Sequence, residues 1–172
     1  MSTHGALLDV HGVGILLLGR SGIGKSECAL ELVTRGHRLI ADDVVELRAD
    51  GHGGLLGTAP ERVRHYMEIR GLGILNIPDL FGPNSVCDEV RVDLICRLEA
   101  WREGVEYERV GLERLTMELD GFDVPRVTLP ARPAGSLATV VEVAARDHLR
   151  RRAGVVAAQE LDTRLQREMK PS

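Results

Sequence analysis

Residues 19–26 read Gly19, Arg20, Ser21, Gly22, Ile23, Gly24, Lys25, Ser26, a complete G-x-x-x-x-G-K-[ST] motif. It lies between the apolar run 10–18 and a stretch, 26–35, whose apolar positions Ala29, Leu30, Leu32 and Val33 suit a short helix ended by Gly36. Strand, glycine turn and helix in that order form the context in which such a loop binds phosphate. Glycine lets successive backbone N–H groups face one set of oxygens, and the helix adds its positive end. Lys25 then reaches the outer phosphates of a nucleotide, and the Ser26 hydroxyl ligates Mg²⁺. The competing reading is a bare turn with a solvent-facing lysine. Composition weighs against it: of the 22 basic residues only Lys25 and Lys170 are lysines, so a chain that otherwise uses arginine has put one of its two lysines in this loop.

The flanking pattern predicts an α/β domain. Residues 38–41 read as a second short strand that runs directly into Asp42 and Asp43. Ligands of open α/β sheets gather at the C-terminal ends of strands. There one carboxylate would hold Mg²⁺ through water while the other faces an acceptor hydroxyl; the plainer alternative is a solvated turn. Residues 44–48 and 55–58 read as a hairpin, 61–67 as one or two helical turns, and 68–76, with Gly71 and Gly73, as an ordered loop. Alternation over 90–98 predicts a strand with one buried face, and 115–119 with 124–129 predict strands flanking the Asp120-Gly121 turn. A helix from Leu137, capped by Ser136, and a last helix over 155–169 with Ala158, Leu161 and Leu165 on one side complete the chain.

At 172 residues the expectation is one domain with a core that needs neither disulfides nor structural zinc. The formal charge of −4 lacks the overall field of a generic nucleic-acid binder, so no nucleic-acid partner is expected. The longest apolar run, 12–19, is too short to span a bilayer, and no basic segment precedes it as in a signal peptide. Cys28, Cys87 and Cys96 show no CxxC spacing and read as reduced thiols of a cytoplasmic protein without a membrane partner.

Other residues stay open on sequence alone. Glu68 would complete an Mg²⁺ shell and Arg70 would neutralise phosphate, or the two form a surface ion pair. His4 and His11 flank the first strand, and Arg109 and Arg132 read equally as solvated cations. Arg146 and residues 150–152 form a cationic cluster that either docks an acidic patch on a protein partner or balances the dipole of its own helix.

Taken together, His4-Gly5, GRSGIGKSE at 19–27, RGHRLIADDVVE at 35–46, MEIRGLGILN at 67–76, Glu99-Ala100-Trp101, Tyr107-Glu108-Arg109 and VEVAA at 141–145 resemble the catalytic domain of the HPr kinase/phosphorylase family. MEIRGLGILN is the most specific of these, since general P-loop kinases have no such segment. The resemblance implies a P-loop α/β fold of the HPr kinase and phosphoenolpyruvate carboxykinase-like type, with a mixed sheet and C-terminal helices, assembled as a homohexamer. It implies ATP- and Mg²⁺-dependent phosphorylation of a serine on the phosphocarrier HPr, with inorganic phosphate or pyrophosphate as further small partners. It places His4, Lys25, Asp43 and Arg109 in the active site, with Asp43 moving the serine proton. Ser26 and Glu68 become the Mg²⁺ ligands, and Asp42 an outer partner.

Two departures accompany the match. The family usually carries a further N-terminal domain, whereas this chain opens almost at His4, so the expectation is a single catalytic domain over 1–172. The segment associated with dephosphorylation reads PVRPGRN in the family and PARPAGS at 130–136 here, keeping Arg132 and Pro133 but placing Gly135 where a second arginine is usual. Loss of that guanidinium predicts phosphorylase activity weaker than kinase activity. Two competing functions are a P-loop kinase for a small metabolite and a noncatalytic nucleotide sensor that changes its assembly. The first usually needs a lid and an internal substrate cleft, which the sequence does not show, and the second needs no acceptor-side base such as the Asp42-Asp43 pair and Glu68 offer.

Overall fold

The computed structural model describes residues 1–104, 107, 110–131 and 135–169. The chain enters through β1 (Ser2–His4), β2 (Ala6–Val10) and β3 (Val13–Leu18), then forms α1 (Lys25–Thr34), β4 (Arg38–Ala41), β5 (Val44–Ala49) and β6 (Leu55–Thr58). After a 3-10 turn at Glu61–Val63 come β7 (Tyr66–Ile69), β8 (Gly73–Asn76) and α2 (Ile77–Phe81). Then follow β9 (Glu89–Arg91), β10 (Leu94–Ala100), β11 (Leu115–Leu119), β12 (Phe122–Ala131), α3 (Leu137–Arg152) and α4 (Ala157–Met169).

The main sheet has the order β11-β12-β10-β3-β2-β4 and is mixed, as expected. β10 runs parallel to β3 and β12, and β4 shares their direction because both it and β3 are antiparallel to β2. The C-terminal ends of β3, β4, β10 and β12 therefore lie along one edge. A second antiparallel sheet, β1-β5-β6-β9, and the β7–β8 hairpin complete the architecture.

β3 is apolar at every side-chain position because both of its faces are covered. Ile15 and Leu17 join Cys28, Ala29 and Leu32 of α1 and Val141 and Ala145 of α3 on one side. Leu16 and Leu18 pack with Ile40, Val45 and Leu47 toward the second sheet. A fully buried Leu or Ile contributes about 1.5–3 kcal/mol, so this strand anchors the motif that follows it. α1 ends as predicted: Gly36 (φ +96°) follows the cap, its N–H donates to Val33 O, and His37 N–H donates to Leu32 O. α3 begins as predicted, with the Ser136 hydroxyl accepting from Thr139 N–H.

The structure departs from the sequence expectations in several places. Residues 10–18 are not one strand, because His11 (φ +55°) and Gly12 (φ +84°) make a two-residue turn between β2 and β3. Apolar residues on both sides of that turn hid it. Residues 68–76 form a hairpin with residues 66–67 rather than a loop: Met67 and Ile69 supply the alternating buried face, and the chain reverses between Ile69 and Gly73. The 90–98 strand breaks at Val92 and Asp93, whose N–H groups donate to Leu55 O and Gly14 O. On α3 the buried stripe is Ala138, Val141, Ala145 and His148, while Val140 faces outward. Leu161 and Leu165 of α4 are exposed despite their helical spacing, and among the described residues none of α4 is buried. Arg151 is tied inward by Asp147 and the Gly111 carbonyl, so it is not a free member of the cationic cluster. Among the described residues no helix is long and apolar enough to cross a membrane.

Candidate active site

The 19–24 loop leaves the C-terminal end of β3 and enters α1 through Gly24, which caps that helix with φ +110° and no side-chain cap bond. Glycine is required at position 19: a Cβ there would sit 2.7 Å from Leu98 O and 3.0 Å from Ile23 Cγ2. Parallel pairing of β3 and β10 presses the loop that closely against the neighbouring strand. Lys25 Nζ folds back over the loop, donating to Gly19 O at 2.5 Å and Arg20 O at 2.9 Å. Its ammonium is thereby held against the first two carbonyls of the loop. Arg20, Ser21 and Gly22 stand exposed at the tip, and Ile23 is half-buried against Gly19.

Ser26 Oγ donates to Asp42 Oδ1 at 2.9 Å, joining the first turn of α1 to the end of β4. Burial pushes the Asp42 carboxyl above the usual carboxylate range and neighbouring Asp43 adds to this, while the Ser26 hydrogen bond and the nearby backbone amides of Glu68 and Asp43 oppose it. A half-buried carboxylate beside a serine hydroxyl is a hard oxygen donor set, and it fits Mg²⁺.

Asp43 occupies an unusual conformation. Val44 N–H donates to Asp42 O at 2.9 Å across it, and its φ of +72° places it at the centre of a three-residue γ-turn. For a residue other than glycine this costs about 1–3 kcal/mol and persists only where the surroundings impose it. Pairing of β1 with β5 imposes it here, with His4 opposite Val44 and Gly5 N–H donating to Asp43 O at 3.0 Å. The turn projects the Asp43 carboxylate into solvent, 4.0 Å from His4 Nδ1, itself exposed.

The structure thus brings Lys25, Ser26, Asp42, Asp43 and His4 to one sheet edge. Glu68 arrives mainly through its backbone: Met67 and Ile69 face the core, and the exposed Glu68 carboxylate does not join the aspartates in a group with ligand atoms within 4.8 Å of one another among the described residues. Arg109, and with it Arg132 and Pro133, lies outside the described residues. Sequence reasoning missed Arg97 and Arg102, which with Gly19, Arg20 and Ala100 line a cleft of about 440 Å³ beside the loop. No motif marks them, because strand order alone carries the end of β10 to that position.

The profile of the HPr Serine kinase C-terminal domain family matches residues 1–165. An HPr kinase/phosphorylase of Bacillus licheniformis is 50% identical over 162 residues, 94% of this chain and 52% of the relative. One from Caldanaerobacter subterraneus is 50% identical over 169 residues, 98% of this chain and 55% of the relative. The chain spans about half the length of the curated relatives it matches. The solved structure of the Hpr(Ser) kinase/phosphatase from Coxiella burnetii superimposes with a TM-score of 0.82 at 30% identity, covering 99% of both chains. A family match over nearly the whole chain, on a fold that sets a glycine loop against an acidic pair, establishes that the chain belongs to the HPr serine kinase C-terminal domain family.

Proposed function

We propose that this chain is a single catalytic domain that transfers the γ-phosphoryl group of ATP to a serine of the phosphocarrier HPr. The observation that carries the reading is the juxtaposition of Ser26, which follows the lysine loop, with Asp42 to which it is bonded and the strained Asp43 beside it at the end of β4. The names of the relatives supply the acceptor and the reaction class. The loop N–H groups and Lys25 bind the polyphosphate. Ser26, with Asp42 behind it and Glu68 after a side-chain rotation, holds Mg²⁺, which when bound neutralises charge on the transferring group. Asp43 accepts the serine proton as the serine oxygen bonds to phosphorus and the bridging oxygen leaves with ADP. His4 and Arg109 steady the group in transit. Exposure of Asp43 and His4 suits a protein acceptor, which must bring its serine to the edge of the fold.

In the reverse sense, inorganic phosphate takes the phosphoryl group from phosphoserine, and pyrophosphate belongs to the same chemistry. That direction is the weaker one, since Gly135 supplies no guanidinium to hold the attacking phosphate or the phosphoserine. A homohexameric assembly and a cytoplasmic location complete the reading. Kinase relatives and an acceptor-side aspartate give the metabolite-kinase and sensor alternatives less support.

The test is Asp43→Asn with Mg²⁺-ATP and HPr, locating added phosphate by mass spectrometry. Asparagine tolerates positive φ, so the turn survives. Nucleotide affinity should persist while transfer is lost. Near-native turnover would remove Asp43 from the role of base.

A further inference from the structure

At the opposite end of α1, about 15 Å along a ten-residue helix from the phosphate loop, three residues distant in sequence meet. His11 sits in the β2–β3 turn, His37 follows α1, and Glu142 lies on α3. His37 Nε2 is 2.9 Å and His11 Nε2 3.8 Å from the same oxygen, Glu142 Oε2. The two imidazoles stand edge to face with centroids 4.7 Å apart. One ligand atom from each of the three residues lies within 4.8 Å of the other two. We propose that His11, His37 and Glu142 form a binding site for a divalent first-row transition cation of the zinc class, separate from the phosphate loop and with a coordination position open to solvent.

Two imidazoles and one carboxylate are the protein donor set of open, three-ligand zinc sites. Ligand bonds of about 2.0–2.2 Å around a tetrahedral ion separate neighbouring donor atoms by roughly 3.3–3.6 Å. The observed 2.9 and 3.8 Å bracket that separation for the two pairs that include Glu142, and the two imidazole nitrogens lie within 4.8 Å of each other. His37 is 7% exposed and Glu142 half-buried, whereas His11 comes from the solvent side, which leaves an entry path. A hydrogen bond between His37 and Glu142 accounts for those two residues but not for His11. The turn does not require histidine either, since asparagine, aspartate or glycine serves equally at its positive φ.

The carboxylate is oriented from behind. Glu142 Oε1 accepts from Arg35 Nη1, and the same guanidinium donates to Glu31, Ser136 and Thr139. That arrangement directs Oε2 at the imidazoles, as outer partners of metal ligands do. Arg35 and Arg146 disfavour an added cation, while Glu31, Glu142 and Asp9 favour it. With Arg38 paired to Asp9, the surroundings are close to neutral rather than repulsive. A bound ion would clip the β2–β3 turn, α1 and α3 together. Through Arg35 it would also fix the Ser136 cap, next to the 130–135 segment.

The experiment titrates the full chain with zinc chloride under excess Mg²⁺, by calorimetry and thermal unfolding, in the wild type, His11→Asn and Asp42→Asn. His11→Asn keeps a residue suited to positive φ and so preserves the turn. The wild type should take one zinc ion per chain, with the unfolding midpoint raised by roughly 5–10 °C at a hundredfold excess over the dissociation constant. His11→Asn should weaken zinc binding at least about tenfold and lose the midpoint shift. Asp42→Asn should bind zinc as the wild type does, and the imidazole resonances of His11 and His37 should move on titration. No zinc uptake, equal affinity in His11→Asn, or loss of binding in Asp42→Asn would overturn the site. None of these readouts involves phosphoryl transfer, so failure here leaves the catalytic reading intact, and failure of transfer leaves this one intact.

Discussion

Ser26→Ala isolates the link between α1 and β4. The hydroxyl donates to Asp42 Oδ1 at 2.9 Å, with the backbone amides of Glu68 and Asp43 nearby. A hydrogen bond to a charged acceptor contributes about 1.5–3 kcal/mol. Asp42 is half-buried, so water takes part of the vacated bond, and the lower end, about 1.5 kcal/mol, applies. For a chain of this length that is a fall of about 3–6 °C in the unfolding midpoint near pH 7. The pH dependence has a definite sign. Burial holds the Asp42 carboxyl above its ordinary range and the Ser26 bond partly offsets this, so removing the bond raises it further. Between its unfolded and folded values the native state binds the extra proton, so this group lowers stability as pH rises through that window. The deficit of Ser26→Ala is therefore largest above the window and shrinks on acidification, where Asp42 is protonated in both proteins. Circular dichroism melts of wild type, Ser26→Ala and Ser26→Thr from pH 4 to 8 measure it, with Ser26→Thr restoring the bond. In parallel, nucleotide affinity should fall in the presence of Mg²⁺ and stay unchanged in EDTA. A midpoint equal to wild type at neutral pH, or a deficit that grows in acid, would refute the reasoning.

Asp42→Asn removes a charge that burial disfavours, so the urea midpoint at pH 7 should rise while transfer is lost; a lowered midpoint would contradict the assignment of burial as the dominant cause. Gly19→Ala places a Cβ 2.7 Å from Leu98 O at φ +153° and should cost at least about 2 kcal/mol of stability, with nucleotide affinity down by at least about tenfold. Unchanged melting and affinity would mean the loop lies less tightly on β10. Burial pushes the Cys28 and Cys96 thiols up to about 12, so brief alkylation of the native protein at pH 8 should label Cys87 alone, with all three labelled in denaturant. Rapid native labelling of Cys28 would show α1 opening away from the sheet.

Local chemistry determined much of this protein from the sequence by itself. The glycine loop with Lys25 and Ser26, the α1 and α3 caps, the 44–58 hairpin and the strands flanking Asp120-Gly121 each depend on neighbours within a few residues, where spacing and turn preference decide the outcome. The sequence also located Asp42 and Asp43, because an apolar run that stops at two carboxylates marks a strand end. Tertiary structure decided what required distant partners. It split residues 10–18 at a two-residue turn, made a hairpin of 68–76, left Leu161 and Leu165 uncovered and turned Arg151 inward. It alone paired β1 with β5, which forces Asp43 into positive φ beside His4, and set β10 against β3, which carries Arg97 and Arg102 to the loop. The physical reason is the same throughout: a side chain's type and spacing fix its local conformation, but its neighbours across a sheet follow from strand order and burial, which couple residues a hundred positions apart and leave no signature at either one.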